Sequence, residues 1–112
     1  MLLSSEPPYR IDWRPVLRNL LGQLSAGASP QALALEFHRW LACSIVAVAE
    51  RAALNGCVLA GGCFQNVCLV EATIDALERT GRTVHVAEAF PSNDGGLALG
   101  QLYAAARGIE LV

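Results

Sequence analysis

The chain has 112 residues, of which 54% are hydrophobic and 16% charged, with a formal net charge of −2 at pH 7. Length and composition predict a single folded domain and exclude a disordered chain. The charged fraction falls below the roughly 25% of an ordinary globular protein, so apolar surface is expected that something else covers.

Basic residues occur singly along the chain. Nothing concentrates the positive potential that phosphate-backbone binding needs, and nucleic acid is excluded as an expected partner. The most apolar run, residues 40–49, is about half of the roughly 20 residues that cross a bilayer, so no membrane span is expected. The first residues lack the basic flank and long apolar centre of a signal peptide, which predicts a cytoplasmic location. Cys43, Cys57, Cys63 and Cys68 form no C-x-x-C pair, and His38 and His85 complete no ligand pattern with them. The cysteines are therefore expected to be reduced, small, buried apolar residues.

Residues 1–11 contain Pro7-Pro8 without periodicity and are expected to form an N-terminal arm, ahead of a lobe over residues 12–112. Asp12 is a candidate N-cap with Pro15 in the first turn, and Trp13, Val16, Leu17, Leu20, Leu21 and Leu24 recur at helical spacing. Gly27 suits a left-handed terminator. Ser29-Pro30 restarts a helix whose stripe runs through Leu33, Phe37, Leu41, Ile45, Val48 and Ala52 to a stop at Asn55-Gly56. Because residues 40–49 are apolar on nearly every side, this helix is expected to be sandwiched. His38 is expected to cover an edge of that packing, since a histidine without a paired carboxylate or second ligand more often has a structural role than a catalytic one.

After Gly56 the pattern changes. Residues 57–60 form a short unbroken apolar run, as in a strand buried on both faces, and Gly61-Gly62 breaks it. A helix is expected from Phe64 or Asn66, with Val67, Val70, Ile74 and Leu77 on one face and an end at Gly81. Residues 83–86 alternate as a strand. Pro91-Ser92-Asn93-Asp94-Gly95-Gly96 then turns into a small-residue helix over Leu97–Ala106, closed by Gly108. Strand, helix, strand, helix predicts an α/β fold with a right-handed parallel crossover.

Glycines at the start of a helix let an anion approach backbone N–H groups, and the helix end adds a favourable partial charge. Gly61-Gly62 has this form. Gly95-Gly96 repeats it beside Asp94, a carboxylate able to hold a hard or borderline metal. The alternative for the second turn is an N-cap Asp followed by glycines that let the helix pack closely on its neighbour, through Ala98, Gly100, Ala104, Ala105 and Ala106. That alternative does not by itself require Gly95 and Gly96 together.

Val58-Leu59-Ala60-Gly61-Gly62-Cys63-Phe64-Gln65-Asn66, followed at a distance by Pro91-Ser92-Asn93-Asp94-Gly95-Gly96-Leu97-Ala98-Leu99-Gly100-Gln101, resembles the extreme C-terminal part of the HypF-type carbamoyltransferases of [NiFe]-hydrogenase maturation. Asp12-Trp13-Arg14-Pro15 and Phe37-His38 resemble the segment just upstream. The resemblance implies part of an actin- and hexokinase-like (ASKHA) ATPase lobe, helix-rich with a short parallel sheet and related to the enzymes that make threonylcarbamoyl-adenosine in tRNA. It implies ATP or carbamoyl-adenylate as the nucleotide, and transfer of the carbamoyl group to the C-terminal cysteine of a HypE partner. Carried onto this sequence, it places Gly61 and Gly62 at the nucleotide phosphates and Asn66 on the nucleotide or carbamoyl group. It makes Asp94 one ligand of a divalent metal, with Gly95 and Gly96 shaping the same wall.

In the resembled enzymes a paired His-x-x-x-His comes from a first lobe. His38 and His85 cannot replace it, being 47 positions apart on different expected elements. The chain is therefore expected to supply part of a nucleotide wall, acting with the missing HypF domains or a HypE-like protein. The alternative is an interaction module derived from that lobe, a homodimer included.

Overall fold

The computed structural model describes residues 2–3, 9–53 and 55–109. Strand β1 (Leu2–Leu3) pairs antiparallel with β2 (Ile11–Asp12), so the first residues double back on the chain. Pro7-Pro8 lies outside the described residues. Helix α1 (Arg14–Ser25) follows at once. Asp12 does not cap it from the expected position. Asp12 Oδ1 accepts from the backbone N–H of Arg14 at 3.1 Å, while both carboxylate oxygens take the Arg14 guanidinium at 2.7 and 2.9 Å. These bonds hold the Asp12 carboxyl below the usual aspartate range. Gly27 ends the helix with φ +90°, as its lack of a Cβ permits.

Helix α2 (Pro30–Ala52) starts as its sequence predicts, with Ser29 Oγ accepting from the Ala32 N–H at 3.2 Å and proline in the first turn. It lies between α1 and α3 (Val67–Glu78). On the α1 side, Glu36 accepts from Asn19 and Gln23. On the α3 side the packing is denser, and Leu69, Thr73 and Leu77, spaced four apart, are all buried. The sandwich is thinner than the composition of α2 predicts: Ala42 and Ser44 are buried, while Phe37 and Ala52 of the expected stripe are exposed. At 23 residues, with a mean hydropathy of 1.4 over its most apolar window, α2 is long and apolar enough to cross a bilayer, which the 40–49 run alone does not reveal.

Strands β3 (Gly56–Leu59) and β4 (Thr83–Val86) form a parallel pair in the register Cys57 to Val84, Val58 to His85 and Leu59 to Val86. The expectation that residues 57–60 are buried on both faces is not met. Leu59 is buried, but Val58 on the opposite face is 75% exposed, because the helices of this chain cover one side of the sheet only. Helix α4 (Leu97–Ala106) also departs from expectation. It buries Ala104 alone, nothing lies within 4 Å of a Cβ built on Gly100, and Leu102 is 69% exposed. The cysteines are reduced as expected but not buried: Cys43, Cys63 and Cys68 are exposed and Cys57 is half-buried.

The molecule measures 56 × 31 × 26 Å with a radius of gyration of 16.8 Å, against about 13 Å for a compact domain of this length. Its accessible surface of 8097 Å² exceeds the roughly 6,000 Å² of a compact protein of 11.9 kDa. The difference is of the order of a large protein–protein interface.

Candidate nucleotide site

The carboxyl ends of β3 and β4 lie side by side, and in open α/β sheets ligands bind in the crevice beyond such ends. Past Leu59 the chain enters Ala60-Gly61-Gly62, and Gly61 adopts φ +105°, where a side chain would be strained. Past Val86 it runs through residues 87–93 into α4. A backbone bond from Gly61 N–H to the Ser92 carbonyl ties these loops together. Between them and α4 is an open groove of about 900 Å³. Its floor and walls include Ala60, Gly61, Pro91, Ser92, Asn93, Asp94, Gly96, Leu97, Gly100, Gln101 and Tyr103.

Of the residues singled out from the sequence, Gly61, Asp94 and Gly96 line this groove, whereas Gly62, Asn66 and Gly95 do not. Gly62 begins a 3₁₀ turn, Gly62–Gln65, that separates the glycines from α3. Of the two starts expected for α3, Phe64 and Asn66, the structure takes the later one, with Asn66 as the cap. At the open start of the 3₁₀ turn, the N–H groups of Gly62 and Cys63 have no acceptor among the described residues, so they remain free for an outside one. Asn66 is the N-cap of α3, its Oδ1 accepting from the Leu69 N–H at 3.2 Å. Its Nδ2 turns toward α2 and donates to His38 Nε2 at 2.9 Å.

In the second turn the cap is Asn93 rather than Asp94: Asn93 Oδ1 accepts from the Gly95 N–H at 2.9 Å, at the start of the 3₁₀ turn Asp94–Gly96 that leads into α4. Both glycines have a steric reason. A Cβ on Gly95 would lie 3.0 Å from Asn93 Oδ1, and one on Gly96 would lie 2.8 Å from the Pro91 carbonyl oxygen. The loop thus leaves no room for a side chain at Gly96 and only a tight fit at Gly95, where the Asn93 side chain would have to give by a few tenths of an ångström. With Asn93 occupied as the cap, Asp94 is left exposed and without a hydrogen-bond or ionic partner among the described residues. No three His, Cys, Asp or Glu side chains come together among the described residues. Asp94 can thus supply one oxygen to a cation whose other ligands are phosphates or water, the manner in which Mg²⁺ is commonly held.

Sequence reasoning passed over Ser92, Gln101 and Tyr103. Ser92 acts through its backbone carbonyl and leaves no side-chain signal. Gly96, Gly100 and Tyr103 are spaced four and three apart, and Leu97 and Gln101 four apart, so helical periodicity could have placed them on adjoining rows of one face. The Arg107 guanidinium sits 5.0 Å from the Tyr103 ring centroid, which puts a positive charge near one end of the groove and the Asp94 carboxylate near the other.

Residues 2–101 match the family described as carbamoyltransferase, Kae1-like domain, second subdomain. The chain belongs to that family. It is 32% identical over 103 residues to the carbamoyltransferase HypF of Synechocystis sp., covering 92% of this chain and 13% of that protein. It is 37% identical over 90 residues to HypF2 of Cupriavidus necator, covering 77% of this chain and 11% of that protein. Among solved structures, a full-length HypF in a phosphate- and nucleotide-bound form superposes with a TM-score of 0.75 at 29% identity, over 98% of this chain and 15% of that one. This HypF subdomain therefore spans about an eighth of the length of the curated relatives it matches. Its fold is that of a partial ASKHA lobe, helix-rich with a short parallel sheet.

Proposed function

We propose that this subdomain forms one wall of the nucleotide cleft of a HypF-like carbamoyltransferase. In that enzyme a carbamoyl group passes from carbamoyl-adenylate to the C-terminal cysteine of a HypE-like partner during [NiFe]-hydrogenase maturation. The observation that carries this reading is the groove at the carboxyl ends of the parallel strands, closed by two glycine turns bonded to each other through Gly61 and Ser92. The likeness to a HypF solved with nucleotide and phosphate supports it.

In this reading the free N–H groups of Gly62 and Cys63 receive phosphate oxygens. Gly61 and Gly96 keep the walls low enough for the nucleotide to approach, and Asp94 holds a divalent cation against the phosphates. The developing charge of acyl transfer is met by fixed backbone dipoles, which need no reorganisation as the bond breaks. A second wall, from the first subdomain of the same domain, completes the metal set and excludes water. The transfer needs both.

Calorimetry with ATP, on this subdomain alone and after addition of the first subdomain of a HypF-type relative, tests the reading. Heat of binding that grows on addition of the first subdomain is expected. Folded protein that gives no heat in either case would reject nucleotide binding.

The exposed apolar side chains of α4 and β3 favour a second reading, a dimerisation or docking module without catalysis; Val58 and Leu102 are 75% and 69% exposed. Light scattering separates the readings, because a tight dimer indifferent to ATP is expected only of the second.

A further inference from the structure

His38 is half-buried on α2 and does not line the groove, yet it is bonded to Asn66, which ends the 3₁₀ turn that follows the groove-lining Gly61. Its Nδ1 lies 2.7 Å from the Ala34 carbonyl oxygen, one turn back on the same helix. A carbonyl only accepts, so Nδ1 carries the proton and Nε2 is left as the acceptor of the ring. Asn66 Nδ2 donates to that acceptor at 2.9 Å, and Asn66 Oδ1, turned the opposite way, accepts from the Leu69 N–H at 3.2 Å. The donors run in one direction: Leu69 N–H to Asn66, Asn66 to His38, His38 to Ala34. The histidine tautomer and the asparagine orientation are each ambiguous alone, but only one combination satisfies all three bonds. Chains of this kind polarise each link. Phe37 meets the His38 ring nearly edge-on, with centroids 6.5 Å apart and planes at 78°, which further restricts its rotation.

The 3₁₀ turn Gly62–Gln65 thus hangs between two anchors. Upstream, Gly61 is bonded to Ser92 at the floor of the groove. Downstream, Asn66 is bonded to His38 across to α2. Between them are the free N–H groups of Gly62 and Cys63.

We propose that His38 is a positioning residue for nucleotide phosphate. By accepting from Asn66 it fixes the downstream end of the glycine turn and aims the open N–H groups of that turn. The proposal rests on the nucleotide reading of the groove. It concerns a residue that touches no ligand and acts through Asn66.

The test compares wild type, His38→Leu and His38→Gln, each with the first subdomain added. Leu fills similar space without an acceptor, whereas Gln retains a side-chain oxygen. ATP affinity is expected to fall roughly tenfold in His38→Leu, the scale of one lost hydrogen bond, and to stay within about threefold of wild type in His38→Gln, at matching thermal midpoints. Equal ATP affinity in His38→Leu and wild type would overturn the proposal and leave the nucleotide reading standing. So would a His38→Gln variant as weak as His38→Leu, since packing alone would then explain the histidine. Absence of binding by wild type sinks the reading and the proposal together. Should His38→Leu not fold, nitrogen-15 NMR of the wild-type ring decides: a protonated Nδ1 is expected, and a protonated Nε2 overturns the proposal.

Discussion

Gly61 and Ser92 are joined by a backbone hydrogen bond that closes the loop after β3 onto the loop after β4. Neither residue contributes a side-chain group to this bond. The floor of the groove is therefore set by backbone geometry, and changes that disturb the backbone should be felt more strongly there than changes of surface chemistry.

The glycines of α4 and its approach make the contrast measurable. Gly96→Ala places a Cβ 2.8 Å from a backbone oxygen of Pro91, whereas Gly100→Ala meets nothing within 4 Å. Gly96→Ala is expected to destabilise by about 1–3 kcal/mol through overpacking. Gly100→Ala, inside a helix, is expected to stabilise by about 0.5–1 kcal/mol. Chemical denaturation of both variants reads the two signs.

Ser29 and Asn66 cap α2 and α3 by the same kind of bond, each at 3.2 Å. Replacing either with Ala should cost about 1 kcal/mol of stability. Only Asn66→Ala should also weaken ATP binding, because Asn66 directly follows the glycine turn, whereas Ser29 makes its cap bond within α2 and none to that turn. Denaturation and ATP titration of the pair separate capping from site geometry; equal ATP affinity in both would count against a role for Asn66 in the site.

Asp94 is exposed and unpartnered among the described residues, so Asp94→Asn should leave stability within about 0.5 kcal/mol of wild type, as surface changes do. With the first subdomain present, the gain in ATP affinity on adding Mg²⁺ should disappear. Titrations with and without the metal measure it, and an unchanged Mg²⁺ increment would remove Asp94 from the metal set.

Asp12 is bonded to the Arg14 side chain and backbone, which lowers its pKa below the ordinary 3.8. A depressed carboxyl pKa contributes stability that is present above the unfolded value and is lost as pH falls through the folded one. Asp12→Asn should therefore lower the thermal midpoint slightly at neutral pH, and its difference from wild type should shrink around pH 3.8 and vanish only as the pH falls through the lower, folded value. The effect stays small because the pair is open to solvent. Melting curves across that range show it.

The helices, the strand pair and both glycine turns were legible because each rests on local chemistry. Ser29-Pro30 starts α2, Gly27 and Gly81 take positive φ at helix ends, and alternation marks residues 83–86. What failed was inference about what covers a surface. The apolar run at 57–60 predicted burial on both faces, and the small residues of α4 suggested close packing on a neighbour, yet Val58 is exposed and Gly100 faces open space in this chain. Hydrophobicity records that a surface has to be covered without naming the cover.

The sequence by itself determined the elements, the family resemblance and the presence of paired glycine turns, since turn and cap preferences act between residues a few positions apart. Only the tertiary structure decided how those turns are used. It assigned the second cap to Asn93, left Asp94 without a partner among the described residues, closed the space for a side chain at Gly96, and sent Asn66 to His38 rather than into the groove. The reason is physical: these outcomes depend on contacts of about 3 Å, several of them between segments far apart in the chain, and a side chain's orientation follows from the partner that folding brings to it.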